Sequence, residues 1–319
     1  MRRDLLFLLL VTTQSGVFLR KVRSHRGFAQ VESSFSYQSA NPALATLTSL
    51  DTAPFLSLEN VTDADFYNLN SPGKLGTFLK VSLVKATNTN ITFRYTQVSN
   101  LQTTANGLYL NADSCNVTVN DGRLRNISAG NGGFLYCKNS NITIKTPQCS
   151  NFSATKGGFV YAVNSNVSFV GAATFTSCSA EEGGVAYLVS STLQIAAVTF
   201  TSNLAKRGGV AFVDLAGDRF LSTASTTVAT FTSNTATNVD ENGVDSGKGG
   251  VFFVTGTTTA SNPLNFGWHH FDGNQAQFGN DVFVEESVLG SDGPTRLSKC
   301  GGESYSDFPH LEIENHNTI

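Results

Sequence analysis

Two short segments of this 319-residue chain carry side chains that could do chemistry. Asn238, Asp240, Asn242 and Asp245 set oxygen donors around Gly243, which is the donor type and turn residue that a calcium loop uses. The acid that closes an EF-hand would fall at Gly249, so the pattern is incomplete and a polar solvent loop is the plainer reading. Calcium is the one cofactor the chain suggests. The second segment, Trp268-His269-His270-Phe271-Asp272, holds the only tryptophan. Imidazoles beside a carboxylate can move protons, but a glycan-cleaving site needs acids that converge on one face. No column of acids accompanies these histidines, so surface or capping histidines are expected and no catalytic residue is assigned.

The positions of these segments are set by a repeat. Gly-Gly pairs stand at Gly132-Gly133, Gly157-Gly158, Gly183-Gly184, Gly208-Gly209 and Gly249-Gly250, with weaker copies at Asn106-Gly107 and Gly279-Asn280. A fixed period of about 25 residues marks a solenoid. Eight residues before each pair, or before the insertion in the case of Phe231, stand Leu124, Cys149, Phe175, Phe200, Phe231 and Phe271. Three residues further on come Ile127, Phe152, Cys178, Asn203, Asn234 and Asn274, and then a column of alanines. An apolar stretch after the glycines carries an aromatic third member: Tyr109, Tyr136, Tyr161, Tyr187, Phe212, Phe253 and Phe283. A polar turn and an alternating strand follow, as in Asn139-Ser140-Asn141-Ile142-Thr143-Ile144.

Such a unit, with short strands and no helical period, cannot bury a core alone. Stacked at the strand spacing of about 4.8 Å, it can. The expected fold is all-β: a single-stranded right-handed parallel β-helix of seven to eight coils, with the Phe and aromatic columns in its core and an asparagine ladder at Asn90, Asn116, Asn141 and Asn166. The charges agree with this register, since stacking sets Glu182 between Lys156 and Arg207, and Glu181 beside Lys206. The glycines are expected to supply a positive φ or room for a neighbouring coil.

The Phe-x-x-Asn and Gly-Gly elements resemble the repeats of the polymorphic outer membrane proteins, found in chlamydial and protist surface proteins. The match lies in Phe200 to Asn203 with Gly208-Gly209, Phe231 to Asn234 with Gly249-Gly250, Phe175 to Cys178 with Gly183-Gly184, and Phe271 to Asn274. The resemblance implies a pectin-lyase-like β-helix and an exported surface role; it carries over no catalytic residue. Residues 287–319 are too short and polar for the C-terminal β-barrel of that family.

Arg2-Arg3-Asp4 followed by the apolar run Leu5 to Val11 resembles a signal peptide; the Arg-rich composition up to Arg26 leaves an organellar transit segment as the alternative. The run is too short to span a bilayer. Beyond residue 30 the chain carries fifteen basic and twenty-three acidic residues, which argues against nucleic-acid binding. Residues 1–29 read as a targeting and basic stretch, 30–66 as an N-terminal cap, 67–286 as the β-helix and 287–319 as a C-terminal cap or tail. Cys149 and Cys178 fall three positions out of phase, about 10 Å apart and beyond the bridging limit. Cys115 and Cys137 are likewise out of phase, and Cys300 is unassigned. Seven Asn-x-Ser/Thr sequons (Asn60, Asn90, Asn116, Asn126, Asn141, Asn151, Asn166) are better explained by ladder hydrogen bonding than by glycans, which would crowd at this spacing. The functional expectation is a non-enzymatic exported or cell-surface protein acting in adhesion or assembly, with a protein or glycan partner or a second copy. A carbohydrate-active or carbohydrate-binding β-helix is the alternative. The inserted stretches Asp214 to Leu221 and Thr237 to Ser246 should project from the wall.

Overall fold

The computed structural model describes residues 34–38, 56–67, 70–217, 228–237, 246–258, 269–285 and 311–313. They form a parallel β-solenoid of about 7 turns with coils of about 26 residues. One coil shows how it is built. The bent strand Asn141–Lys156 pairs with Asn116–Ser128 of the coil before. After it come three separate strands, Asn166–Val170, Thr174–Thr176 and Ser179–Glu182. Across the corner, Val160–Val163 pairs with Leu135–Lys138 and Ala186–Val189 in a second sheet. Both ladders take in strands outside 67–286: Ser34–Gln38 pairs with Asp63–Tyr67, and Leu311–Ile313 with Val282–Val284.

The expected Phe column is present, in register from Leu124 through Cys149, Phe175, Phe200 and Phe231 to Phe271. Its four rings stack at centroid distances of 5.3, 5.1 and 5.0 Å, close to the coil rise, so each buried ring gains offset-stacking contact as well as burial. Cys115, Cys137, Cys149 and Cys178 are buried and free. Burial pushes the Cys137 and Cys178 thiols up to about 12, so they pack as small inert apolar groups.

The two glycines of each pair do different work. The first has positive φ, between +61° and +67° from Gly132 to Gly249, and turns the corner. The second faces the backbone of the next coil: a Cβ on Gly158 would lie 2.1 Å from the Gly184 carbonyl oxygen, and one on Gly184 2.1 Å from that of Gly209. No side chain fits there.

Two internal ladders satisfy the backbone at the other bends. In the coils from Phe175 onward, each buried Asn accepts the backbone N–H at the same position one coil earlier: Cys178 to Asn203 (2.9 Å), Asn203 to Asn234 (3.0 Å) and Asn234 to Asn274 (2.9 Å). Its Nδ2 donates to the carbonyl of the preceding coil's Phe, as from Asn234 to Phe200 at 3.1 Å. This is the physical content of the Phe-x-x-Asn spacing. Ser140, Ser165 and Ser191 do the same at another corner, each hydroxyl accepting the N–H of Cys115, Ser140 or Ser165. The exposed ladder is present as well, with Asn116 Nδ2 donating to Asn90, Asn141 to Asn116 and Asn166 to Asn141 at 2.8 to 2.9 Å. A further exposed row runs from Asn151 through Asn126 to Asn100.

Three expectations need correction. Tyr109 is not in the column of Tyr136: Leu110 pairs with Leu135 and Asn111 with Tyr136, and Tyr109 stacks inside on Phe134 at 5.0 Å. A single glycine at Gly107, aligned with Gly132, shifts the count by one. The remaining aromatic column is not in the main core but on the outer face of the second sheet, because strand alternation turns Leu135 and Cys137 inward and Tyr136 outward. Asp214 to Gly217, read as the start of an insertion, instead extends the ladder, pairing with Thr255 to Thr258.

Replacing the second glycine should be far worse than replacing a merely left-handed one. Gly158→Ala forces two backbones apart and is expected to cost more than about 4 kcal/mol. Gly171→Ala, whose Cβ would meet its nearest atom at 3.5 Å, should cost about 1 kcal/mol from its positive φ alone. Urea titration of both variants checks the order, and equal losses would contradict it. By the same measurement Asn234→Ala, which strands the Asn203 N–H and the Phe200 carbonyl, should lose about 2 to 5 kcal/mol, against about 0.5 for the exposed Asn141→Ala.

Candidate functional site: an aromatic and ionic wall

On the outer face of the second sheet, Tyr136, Tyr161, Tyr187, Phe212, Phe253 and Phe283 stack as a continuous ladder, with centroids 5.0, 5.0, 4.7, 5.0 and 5.7 Å apart. From Tyr187 onward the rings are buried in a cluster separate from the main core; Tyr136 and Tyr161 are only half-buried. Position in the coil explains the ladder. The third residue after each Gly-Gly pair is the central outward position of a four-residue strand, and identical registers place like on like.

The residue before each pair lies beside this ladder. Register lines up Asn131, Lys156, Glu182, Arg207, Lys248 and Phe278. Glu182 lies between two cations: its Oε2 is 2.9 Å from Lys156 Nζ, and its Oε1 accepts from Arg207. The cations also cover the rings. Lys156 Nζ is 4.5 Å from the Tyr187 centroid and 3.2 Å from its hydroxyl. The Arg207 guanidinium lies 5.0 and 5.1 Å from Phe212 and Phe253, and Lys248 Nζ 5.0 Å from Phe283. Each contact joins an ion to a ring face, and several share one charge network.

Electrostatics follow from this geometry. Burial alone would push the Glu182 carboxyl up, but hydrogen bonds and charge from Lys156 and Arg207 outweigh it and hold the carboxyl below its ordinary value. Burial would lower Lys156, yet its bonds to Glu182 and Tyr187 raise it instead. Lys206 and Glu181 adjoin through the backbone, the Lys206 N–H donating to the Glu181 carbonyl at 2.9 Å.

The residues singled out for chemistry are not brought together. His269 is buried at 8% exposure, its Nδ1 accepting the Ala229 N–H at 3.1 Å and its ring edge-on to Phe231. It fills the wall and is not a surface histidine. His270 and Asp272 are exposed on the flanking strand. Asn238, Asp240, Asn242, Asp245, Trp268 and Cys300 lie outside the described residues. Sequence reasoning paired Lys156, Glu182 and Arg207 but passed over Lys248, although it too stands immediately before a Gly-Gly pair. Among the described residues no helix is long and apolar enough to cross a membrane.

Comparison with protein-family models, curated proteins and solved structures finds no match to this chain. The likeness to polymorphic outer membrane protein repeats therefore stands on the repeat residues alone.

Glu182→Gln should lower stability by about 1 to 3 kcal/mol at pH 7, since it leaves two partly buried cations without their counter-charge. The carboxylate's contribution is present above the ordinary glutamate value of about 4.3 and is lost as pH falls below it. Thermal melts of wild type and variant should therefore converge below about pH 4; a gap that persists there would contradict the assignment.

Proposed function

We propose that this chain is a non-enzymatic exported or cell-surface β-helix that serves adhesion or assembly through its outer wall. The observation that carries the reading is the tyrosine end of the outer ladder. Tyr136 and Tyr161 are stacked at 5.0 Å and half-buried, while the same ladder further along is buried under its own cations. Rigid stacked rings lose little conformational entropy on contact, and Tyr is favoured at interface hot spots. The Phe-x-x-Asn and Gly-Gly resemblance supports a surface location, and the Arg2 to Gly16 segment supports export.

Light scattering on the purified full chain tests the reading. Wild type should self-associate with rising concentration, and Tyr136→Ser/Tyr161→Ser should stay monomeric with a melting temperature within about 2 °C of wild type, since both positions are on the solvent face. A wild-type chain that remains strictly monomeric and finds no surface partner would overturn it. So would release of reducing ends from polysaccharides that disappears in His270→Ala/Asp272→Ala.

A further inference from the structure

The charge of the chain is not evenly spread. Beyond residue 30 it is acidic overall, yet the three adjacent long strands Asn90–Thr103, Asn116–Ser128 and Asn141–Lys156 contain one acid, Asp121, against five basic residues. Lys156 belongs to the ionic wall. The other four, Arg94, Arg123, Arg125 and Lys145, are all exposed. Register sets Arg94 in the row of Asn120 and Lys145, Arg123 in the row of Gln97 and Gln148, and Arg125 two residues further along. They form one basic face spanning three coils, about 10 Å along the axis at the strand spacing.

A groove of about 240 Å³ crosses this face. Its axis follows a corner where Tyr95, Asp121 and Thr146 hold left-handed backbone, φ 53°, 45° and 50°; further along the solenoid, corners of this kind are taken by Gly171 and Ala197. The strain at a tyrosine is a cost that a simpler residue would avoid, and it leaves the ring 50% exposed at the groove. Gly122 keeps the middle of the groove open. The Asp121 carboxylate is engaged by the Thr146 hydroxyl at 2.5 Å, which leaves Arg123 flanked by Gln97 and Gln148 as the polar row. Thr96, fully buried, also borders the groove, and its hydroxyl has no hydrogen-bond partner.

The geometry points to a binding site for an anionic glycan, a chain of sugar rings bearing sulfate or carboxylate groups, laid across the coils. The tyrosine offers a face to the C–H side of a sugar ring, the carboxamides of Gln97 and Gln148 offer donors and acceptors to hydroxyls, and the guanidinium groups take the anionic substituents in bidentate fashion. This deepens the surface-binding reading and rests on it for access to glycans, but it uses the first sheet and not the tyrosine ladder.

The test is titration calorimetry of the full chain with a heparin fragment and, separately, with oligogalacturonate, which distinguishes sulfate from carboxylate. Neutral dextran and a single-stranded DNA of matched charge serve as controls. Binding of at least one anionic glycan is expected, weakening with salt. It should fall at least about tenfold in Arg123→Ala/Arg125→Ala and in Tyr95→Ala, with unchanged melting temperatures because these side chains are exposed. Tyr136→Ser/Tyr161→Ser should bind glycan as wild type does, so loss of self-association and loss of glycan binding are separable failures. The proposal is overturned if neither glycan binds, if DNA binds as tightly as the glycans, or if binding survives either set of substitutions.

Discussion

The closest approach in this molecule is between backbones. At the second glycine of every pair, one coil lies so near the next that a single methyl group would sit about 2 Å from a carbonyl oxygen. That contact sets the coil rise at one corner, and the other columns inherit it. Rings stack near 5 Å because the backbone already stands at that spacing; amides reach their neighbours for the same reason. The repeat is therefore a geometric requirement first and a pattern of apolar residues second.

Given that spacing, polar groups at the bends have two options. They can face outward as Asn90, Asn116, Asn141 and Asn166 do, or inward as Asn203, Asn234 and Asn274 do, where they take backbone groups that water cannot reach. The earlier coils put Ile127 and Phe152 at the inward position and carry asparagine one residue before, at Asn126 and Asn151, where it adopts the left-handed conformation. The later coils put serine or glycine there, at Ser202, Ser233 and Gly273, and move the asparagine inside. The two halves solve the same bend with the same residue type on opposite sides of the backbone.

Much of this was legible in the residues. Columns that repeat one residue type, such as the phenylalanines and the Lys156, Glu182 and Arg207 series, announce their register because stacking rewards likeness or opposite charge. Tyr109 was misplaced because a lone glycine at Gly107 gave no anchor to separate one register from the next. The outward direction of the aromatic ladder was hidden by four consecutive apolar residues, which carry no alternation. The groove at Tyr95 was illegible for a different reason. Its corner is filled by Tyr, Asp and Thr, three unlike residues that only the backbone unites.

The asparagine ladders also have a direction. In the buried ladder each Nδ2 points toward the later coil, from Asn203 to Asn234 to Asn274, and the last donates to the Asp281 carboxylate at 2.8 Å. In the exposed ladder the donors point the opposite way, from Asn166 back to Asn90, and Asn90 in turn faces Asp63 at 3.5 Å. An amide both accepts and donates, so it can relay the chain of bonds indefinitely; an ionised aspartate only accepts. Each row thus finishes on a residue that cannot pass it on, and the opposed dipoles of the two rows offset one another along the axis. The end of the stack is in this sense written in hydrogen-bond polarity, and lengthening the solenoid would require replacing its terminators as well as duplicating its coils.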